Sequence, residues 1–356
     1  MSVLRSNVPR KILVLRFSSL GDIVMTTAMV RCLRQSFPDA RIDMVVREDF
    51  LDLIRHNPHL DRKIGLARRS GRRGLLQLAR DLKREHYDLV YDAHRSLRTR
   101  FLMPYLRADA RAYFDKQYLK RDLALTFKLP WLEGMPRFLE RFVSPLEPYG
   151  VHYDEAGPEV FIDEPTRKRC REKFPLPQLA PHAARIALIP SAQWPGKRWP
   201  LDRFRSLIED LARDTPHQLV VLGGPGDDFC RELCRDLPAN RVINTQGKLS
   251  ILESAAMLEQ CHLTIANDTG MMHVADGLGI PSVLILGPTS GGLGCLPFHP
   301  RTRVLEHELW CRPCSKNGQA PCVRGTRYCL TRTSVSQVLH EARELAQLQL
   351  SGGGRA

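Results

Sequence analysis

Short β-rich apolar runs, most of them followed by a segment of helix length, recur along this chain in two sets. That alternation directs the fold toward parallel sheets covered by helices. In the first set KILVLRF (Lys11 to Phe17) precedes Met25, Ala28, Met29, Cys32 and Leu33 at helical spacing, and RIDMVV follows the helix-ending FPDA. A helix is predicted from Arg72 to Glu85, then a strand in YDLVYDA, Tyr87 to Ala93. The second set holds RIALIPS, QLVVLGG, RVINTQG, LTIAND and PSVLILGP, each ending in small or polar residues. Between about Phe161 and Ala184 the pattern breaks into proline, charge and one short candidate helix, as in a crossing between domains. The predicted organisation is a Rossmann-like first domain over 1–165, a linker over 166–184 and a second Rossmann-like domain over 185–333. A helix over 334–350, with Val335, Val338, Leu339, Ala342 and Leu345 on one face, is free to pack back on the first domain, and 351–356 form a loose tail. In open parallel sheets ligands gather at the carboxyl ends of strands, so chemistry is expected there.

A length of 356 residues suits two cores better than one. No run approaches the roughly 18 apolar residues of a spanning helix. MSVLRSNVPR has no apolar signal core, so a cytoplasmic protein is expected. In such a chain the ten cysteines are expected to be reduced, buried or metal-bound. The formal net charge of +14 favours a polyanionic partner, whether nucleic acid, an anionic membrane surface or a phosphorylated substrate.

The turn Ser18, Ser19, Leu20, Gly21, Asp22 lacks both G-x-G-x-x-G and the Walker spacing, which argues against a dinucleotide or a triphosphate there. Asp22 has two readings: a helix cap favoured by the macrodipole, or a carboxylate base for a hydroxyl proton. Farther along, Asn267, Asp268, Thr269 and Gly270 end a strand and open a helix. Free amides there suit a phosphate, Gly270 permits close approach, Thr269 adds a hydroxyl, and His273 lies about one turn in. A capped helix with a core histidine is the alternative, against which the glycine-flanked GPTS after the next strand weighs. PSAQWPGKRWP places Lys197 and Arg198 in a proline-bounded loop where a lysine can pair with phosphate, while Trp194 and Trp199 read as packing residues. In GGPGDD the acids can hold sugar hydroxyls or cap the next helix. Cys311, Cys314, Cys322 and Cys329 suit a structural zinc or packed thiols.

The order S-L-G-D, K-R-W-P, then D-T-G-x-x-H-x-A and G-P-T resembles glycosyltransferase family 9, the ADP-heptose:lipopolysaccharide heptosyltransferases, over nearly the whole chain. The resemblance implies an α/β fold of GT-B type, two doubly wound Rossmann-like domains facing a central cleft. The acceptor would belong to the first domain and the nucleotide sugar to the second. It implies inverting transfer of heptose from ADP-L-glycero-D-manno-heptose to the inner core of lipopolysaccharide, with Asp22 as base. Ser191, Gln193, Lys197, Asp268, Thr269, Gly270 and His273 would serve the donor, with Asp228 near an acid that the family places beside it. Ser19, Gly21, Arg68, Arg69, Arg72, Arg98, Lys116, Lys120 and Arg121 would serve the acceptor, a lipopolysaccharide core or lipid A precursor rich in phosphates and carboxylates. The basic and aromatic stretch from Leu97 to Arg121 also suits peripheral contact with the cytoplasmic face of the inner membrane. No metal is required by this scheme. Two alternatives stay open: a GT-B enzyme acting on another nucleotide sugar as transferase or epimerase, and a basic nucleic-acid binder. Against the latter, no zinc finger of the expected spacing and no RNP-like motif is present, so no nucleic-acid partner is expected.

Overall fold

The computed structural model describes residues 8–127 and 135–351, with the backbone alone at 118–121. The expected tail beyond 351 lies outside the described residues, as do the side chains of Lys120 and Arg121. The chain forms two compact units, Met1–Gln117 with Pro136–Phe161, and Tyr118–Met135 with Ile162–Ala356.

The first unit is a five-stranded sheet of β1 (Lys11–Leu15), β2 (Arg41–Arg47), β3 (Arg62–Leu66), β4 (Tyr87–Asp92) and β5 (Ala108–Tyr113). All pairings are parallel and the order is β3-β2-β1-β4-β5. KILVL makes the central strand because Ile12 to Leu15 are buried on both faces. The helix Leu20–Ser36, which follows β1, is buried along most of its length.

The second unit is a six-stranded sheet of β6 (Arg185–Ile189), β7 (Gln218–Val221), β8 (Val242–Asn244), β9 (Leu263–Asn267), β10 (Ser282–Ile285) and β11 (Arg303–Leu305). It is also parallel, in the order β11-β10-β9-β6-β7-β8. Counted from its own first strand, that order is the doubly wound one of Rossmann domains. In both sheets the winding reverses at one place, between β1 and β4 in the first and between β6 and β9 in the second. The loops leaving those strands diverge to opposite faces there and open a crevice at the strand ends.

The expected linker and the C-terminal helix both belong to the second unit. The short helix expected in the linker is Glu164–Lys173. Its charges are paired on the helix Ile251–Leu258 and the residue after it: Arg167 lies 2.7 Å from Glu259 and Lys173 2.6 Å from Glu253. The C-terminal helix Val335–Ser351 buries Val338, Ala342, Leu345 and Ala346 in the second unit's own core, together with Phe204, Leu207, Ile208 and Leu211 of the helix Leu201–Asp214. Its apolar face is therefore spent in that unit's own core. Among the described residues no helix is long and apolar enough to cross a membrane.

Candidate active site

At the reversal of the first sheet, Arg16 leaves β1 and is 4% exposed. Its Nη1 donates to the Ala93 carbonyl at 2.6 Å, its Nη2 lies 2.8 Å from Asp22 Oδ1, and its guanidinium rests on the Phe142 ring at 5.3 Å. Asp22 Oδ2 accepts the Ser19 amide at 3.0 Å and the Ser19 hydroxyl at 2.5 Å. The carboxylate thus fills the capping role, while its side chain stays 26% exposed. Burial pushes the Asp22 pKa up, but Arg16 and the Ser19 hydrogen bonds together outweigh it and hold the carboxyl below its ordinary value.

The β4 side of the crevice adds residues that sequence reasoning missed. Asp92 is 1% exposed, and its Oδ1 accepts the His94 and Arg95 amides at 3.0 and 2.7 Å. Its Oδ2 is buried with no hydrogen-bond partner among the described residues. His94 Nδ1 accepts the Phe17 amide at 3.3 Å, which leaves the proton on Nε2. Burial first, then the charges of Arg16 and Lys116, lower the His94 pKa to about 3, so the ring is neutral. Beside these, a recess of about 290 Å³ is lined by Asp92, Arg95, Arg100, Arg111 and Tyr113, among others.

The predicted acceptor residues do not form one cluster. Ser19 touches Asp22, and Gly21 is buried in the first turn of its helix. Arg68 and Arg69 are exposed after β3, and Arg72 is exposed at the start of the helix Gly71–Lys83. Arg98 is exposed at the start of the helix Leu97–Leu102, between β4 and β5, and Lys116 donates to the Arg95 carbonyl at 3.3 Å. β3 and β5 are opposite edges of the sheet, so the two sets are separated by its width.

At the reversal of the second sheet the predicted donor residues do converge. Lys197 lies in a short turn, Pro195–Lys197, after β6, and its Nζ is 2.6 Å from Asp268 Oδ2 at the end of β9. The two side chains are 15% and 14% exposed. Asp268 Oδ2 also accepts the Thr289 hydroxyl at 2.7 Å, from the GPTS segment after β10. Burial raises the Asp268 pKa, but Lys197, Thr289 and His273 overcome it and leave the carboxyl below its ordinary value. Asn267 ties the two loops together: its Nδ2 donates to the Pro190 carbonyl at 2.8 Å and its Oδ1 accepts the Trp199 amide at 2.9 Å. Trp199 is fully buried and donates Nε1–H to the Thr333 carbonyl at 3.0 Å, a packing residue as predicted. Thr269 caps the helix Gly270–Gly277 in extended conformation, with His273 5% exposed inside it.

Of the remaining donor residues, Ser191 is half-buried and Gln193 is exposed. Asp228 points outward and pairs with Arg231 at 3.3 Å, one turn along its own helix. The acid built into that loop is its neighbour Asp227, which accepts the Gly224 amide at 2.8 Å and lies 3.8 Å from Arg198. Cys311 and Cys329 are buried, with Cys314 and Cys322 half-buried. Burial, augmented by the other three thiols, pushes the Cys329 pKa up to about 11. Among the described residues, the trio of ligand atoms drawn within 4.8 Å is His86, Asp88 and Asp109, not a set of these sulfurs.

The family model described as "Glycosyltransferase family 9 (heptosyltransferase)" matches residues 75–321, more than half of the chain. Lipopolysaccharide heptosyltransferase 1 of Pseudomonas aeruginosa is 26% identical over 324 residues, which span 86% of each chain. Among solved structures, a family 9 glycosyl transferase from Veillonella parvula has a TM-score of 0.79 at 23% identity, covering 95% of this chain and 97% of its own. The E. coli ADP-heptose lps heptosyltransferase II has a TM-score of 0.73 at 20% identity, covering 95% and 99%. The two parallel sheets are of GT-B type. With the motif order, both reversals and these likenesses in agreement, the chain belongs to glycosyltransferase family 9, the heptosyltransferases, and is a glycosyl-transferring enzyme.

Proposed function

We propose that the protein transfers heptose from ADP-L-glycero-D-manno-heptose to a hydroxyl of the lipopolysaccharide inner core, by single displacement with inversion. The observation that carries this reading is the set of Lys197, Asp268 and Thr289 beside the opening of the Gly270–Gly277 helix. Lys197 gives one N–H to Asp268, which aims it, and has two left for a diphosphate. The Gly270 amide and the Thr269 hydroxyl add donors where the macrodipole is positive. Ser191, Gln193 and His273 complete the donor side, with Asp227 nearer in role than Asp228 to an acid for sugar hydroxyls.

In the reaction the acceptor oxygen forms a bond to the anomeric carbon, the bond from that carbon to the diphosphate breaks, and ADP leaves with the electron pair. Asp22 takes the acceptor proton. A carboxylate held this acidic is a weak base toward a neutral alcohol, so proton transfer follows as the attacking oxygen becomes positive. The scheme has no covalent intermediate and gives the four cysteines no step.

The first unit would hold the acceptor. Arg95, Arg100 and Arg111 around the recess, and the exposed Arg68, Arg69, Arg72 and Arg98, suit phosphates and carboxylates of the core. The net charge of +14 favours contact with the anionic cytoplasmic face of the inner membrane. The test is incubation with radiolabelled ADP-heptose and a series of truncated core lipids. Label is expected to move to lipid with wild type and at least about a hundredfold more slowly with Asp22→Asn. No transfer to any core, together with salt-dependent oligonucleotide binding, would overturn the reading.

A further inference from the structure

The segment from Cys311 to Cys329 enters no step of the proposed reaction, yet it bridges the loop over 287–289 and the loop that carries Lys197. Arg312 donates to the carbonyls of Gly287 and Thr289 at 2.6 and 2.5 Å, and the Cys314 amide donates to the Pro288 carbonyl at 2.9 Å. Arg327 donates to the Pro195 carbonyl at 3.1 Å, two residues before Lys197. The tightest approach is at Gly318, which is buried with φ +76°. A Cβ there would lie 2.7 Å from Lys197 Cγ, 3.4 Å from Lys197 Cε and 3.2 Å from Pro288 Cγ. From the other side, a Cβ on Gly196 would strike the Gly318 carbonyl oxygen. Lys197 is therefore gripped at both ends, its stem by bare backbone at Gly318 and its ammonium by Asp268 at 2.6 Å.

We infer that the cysteine-rich segment is a clasp that positions Lys197 for the donor diphosphate, with Gly318 as the positioning residue at its contact point. The inference rests on the donor-side reading given above. Cγ lies in the middle of the lysine chain. A methyl group at 318 cannot be accommodated by swinging the tip alone: the stem must shift, and Nζ with it. Lysine offers a point charge on a flexible stem, so a wall that removes the stem's freedom sets where that charge sits.

Gly325 supplies the control. It lies in the same segment at φ +69°, is exposed, and has nothing within 4 Å of its Cβ direction. Alanine there incurs similar backbone strain and leaves Lys197 untouched. ADP binding is measured by calorimetry for the full chain and for Lys197→Ala, Gly318→Ala, Gly325→Ala and the Lys197→Ala/Gly318→Ala double variant. Gly318→Ala is expected to weaken ADP about tenfold or more, the scale of one charge-assisted hydrogen bond, and Gly325→Ala to stay within about threefold of wild type. In the Lys197→Ala background, Gly318→Ala is expected to add nothing, because the group it misplaces is gone. A merely structural glycine would weaken binding equally in both backgrounds, and that result overturns the clasp. So does wild-type ADP affinity in Gly318→Ala when Lys197→Ala has lost it, whereas unchanged affinity in Lys197→Ala overturns the donor reading itself. Should Gly318→Ala not fold, Ser315→Ala replaces it. The Ser315 hydroxyl accepts the Gly318 amide at 2.8 Å, and its loss is expected to weaken ADP only where Lys197 is present.

Discussion

In the proposed reaction Asp22 would add a chemical role to the structural one that its contacts show. Ser19 occupies one carboxylate oxygen and Arg16 the other, yet a quarter of the side chain meets solvent. Asp22→Asn is expected to keep the fold and ADP affinity and to lower kcat by a factor of about 10² to 10⁴, the usual yield of a positioned base. Arg16→Met tests what keeps that base ionised. With the guanidinium gone, the remaining dominant influence is burial, which raises the carboxyl pKa. The acidic limb of the kcat/KM profile, below the ordinary value of 3.8 in wild type, is expected to move upward in Arg16→Met. A limb that stays in place would show that Arg16 does not govern it. Asp22 was legible in the sequence because S-L-G-D marks a strand-to-helix turn. Arg16, Asp92 and His94 were not, because their roles come from contacts across β1 and β4 that lie more than seventy residues apart in the chain.

At the level of elements, the strands at the sheet centres read most plainly, although RVINTQG, which holds the edge strand β8, was legible too. KILVL, YDLVYD, RIALI and LTIAN read plainly because burial on both faces demands continuous apolar runs. β3, β5 and β11 went unread for the converse reason. They are edge strands, RKIGL, ADARAY and RVL, whose partial exposure admits charge and small residues. β5 in particular lies within the stretch that read as a basic, aromatic surface. The Glu164–Lys173 helix was legible only as a short candidate without bounds, since it buries only Thr166 and Cys170 and holds its place through ion pairs. The junction of β6 with β9 turns on Trp199, fully buried and packed edge-on to Phe204 at 5.0 Å. Trp199→Ala is expected to cost about 3 to 5 kcal/mol in denaturant unfolding. Asn267→Ala breaks both hydrogen bonds that join the Lys197 loop to β9, and is expected to weaken ADP binding as well as stability. Loss of stability with unchanged ADP affinity would confine Asn267 to the core.

Over the whole molecule, pH acts through two groups of residues. Asp22, Asp61, Asp154 and Asp268 have pKa values below their ordinary ones, so the stability they contribute is present above about pH 4 and is lost as pH falls through their folded values. His94, His217, His299 and His307 are lowered as well, chiefly by burial, which disfavours the charged ring. For these the unfolded chain takes up protons first, so stability begins to fall as pH drops below about 6.5. Tm is therefore expected to decline from about pH 6.5 downward and more steeply below about pH 4. His94→Gln, which cannot titrate, should flatten the upper part of that decline. The family and the two α/β units were legible in the order of short motifs, as was the set of segments that meets at Lys197 and Asp268, whereas the division between the units and the separation of the basic residues to opposite sheet edges needed the topology. The central claim, single displacement from ADP-heptose, is tested most directly by nuclear magnetic resonance of the purified lipid product with ADP release followed in parallel. The account predicts one ADP per heptose transferred and an anomeric configuration opposite to the donor's, both abolished in Lys197→Ala; a retained configuration would contradict it.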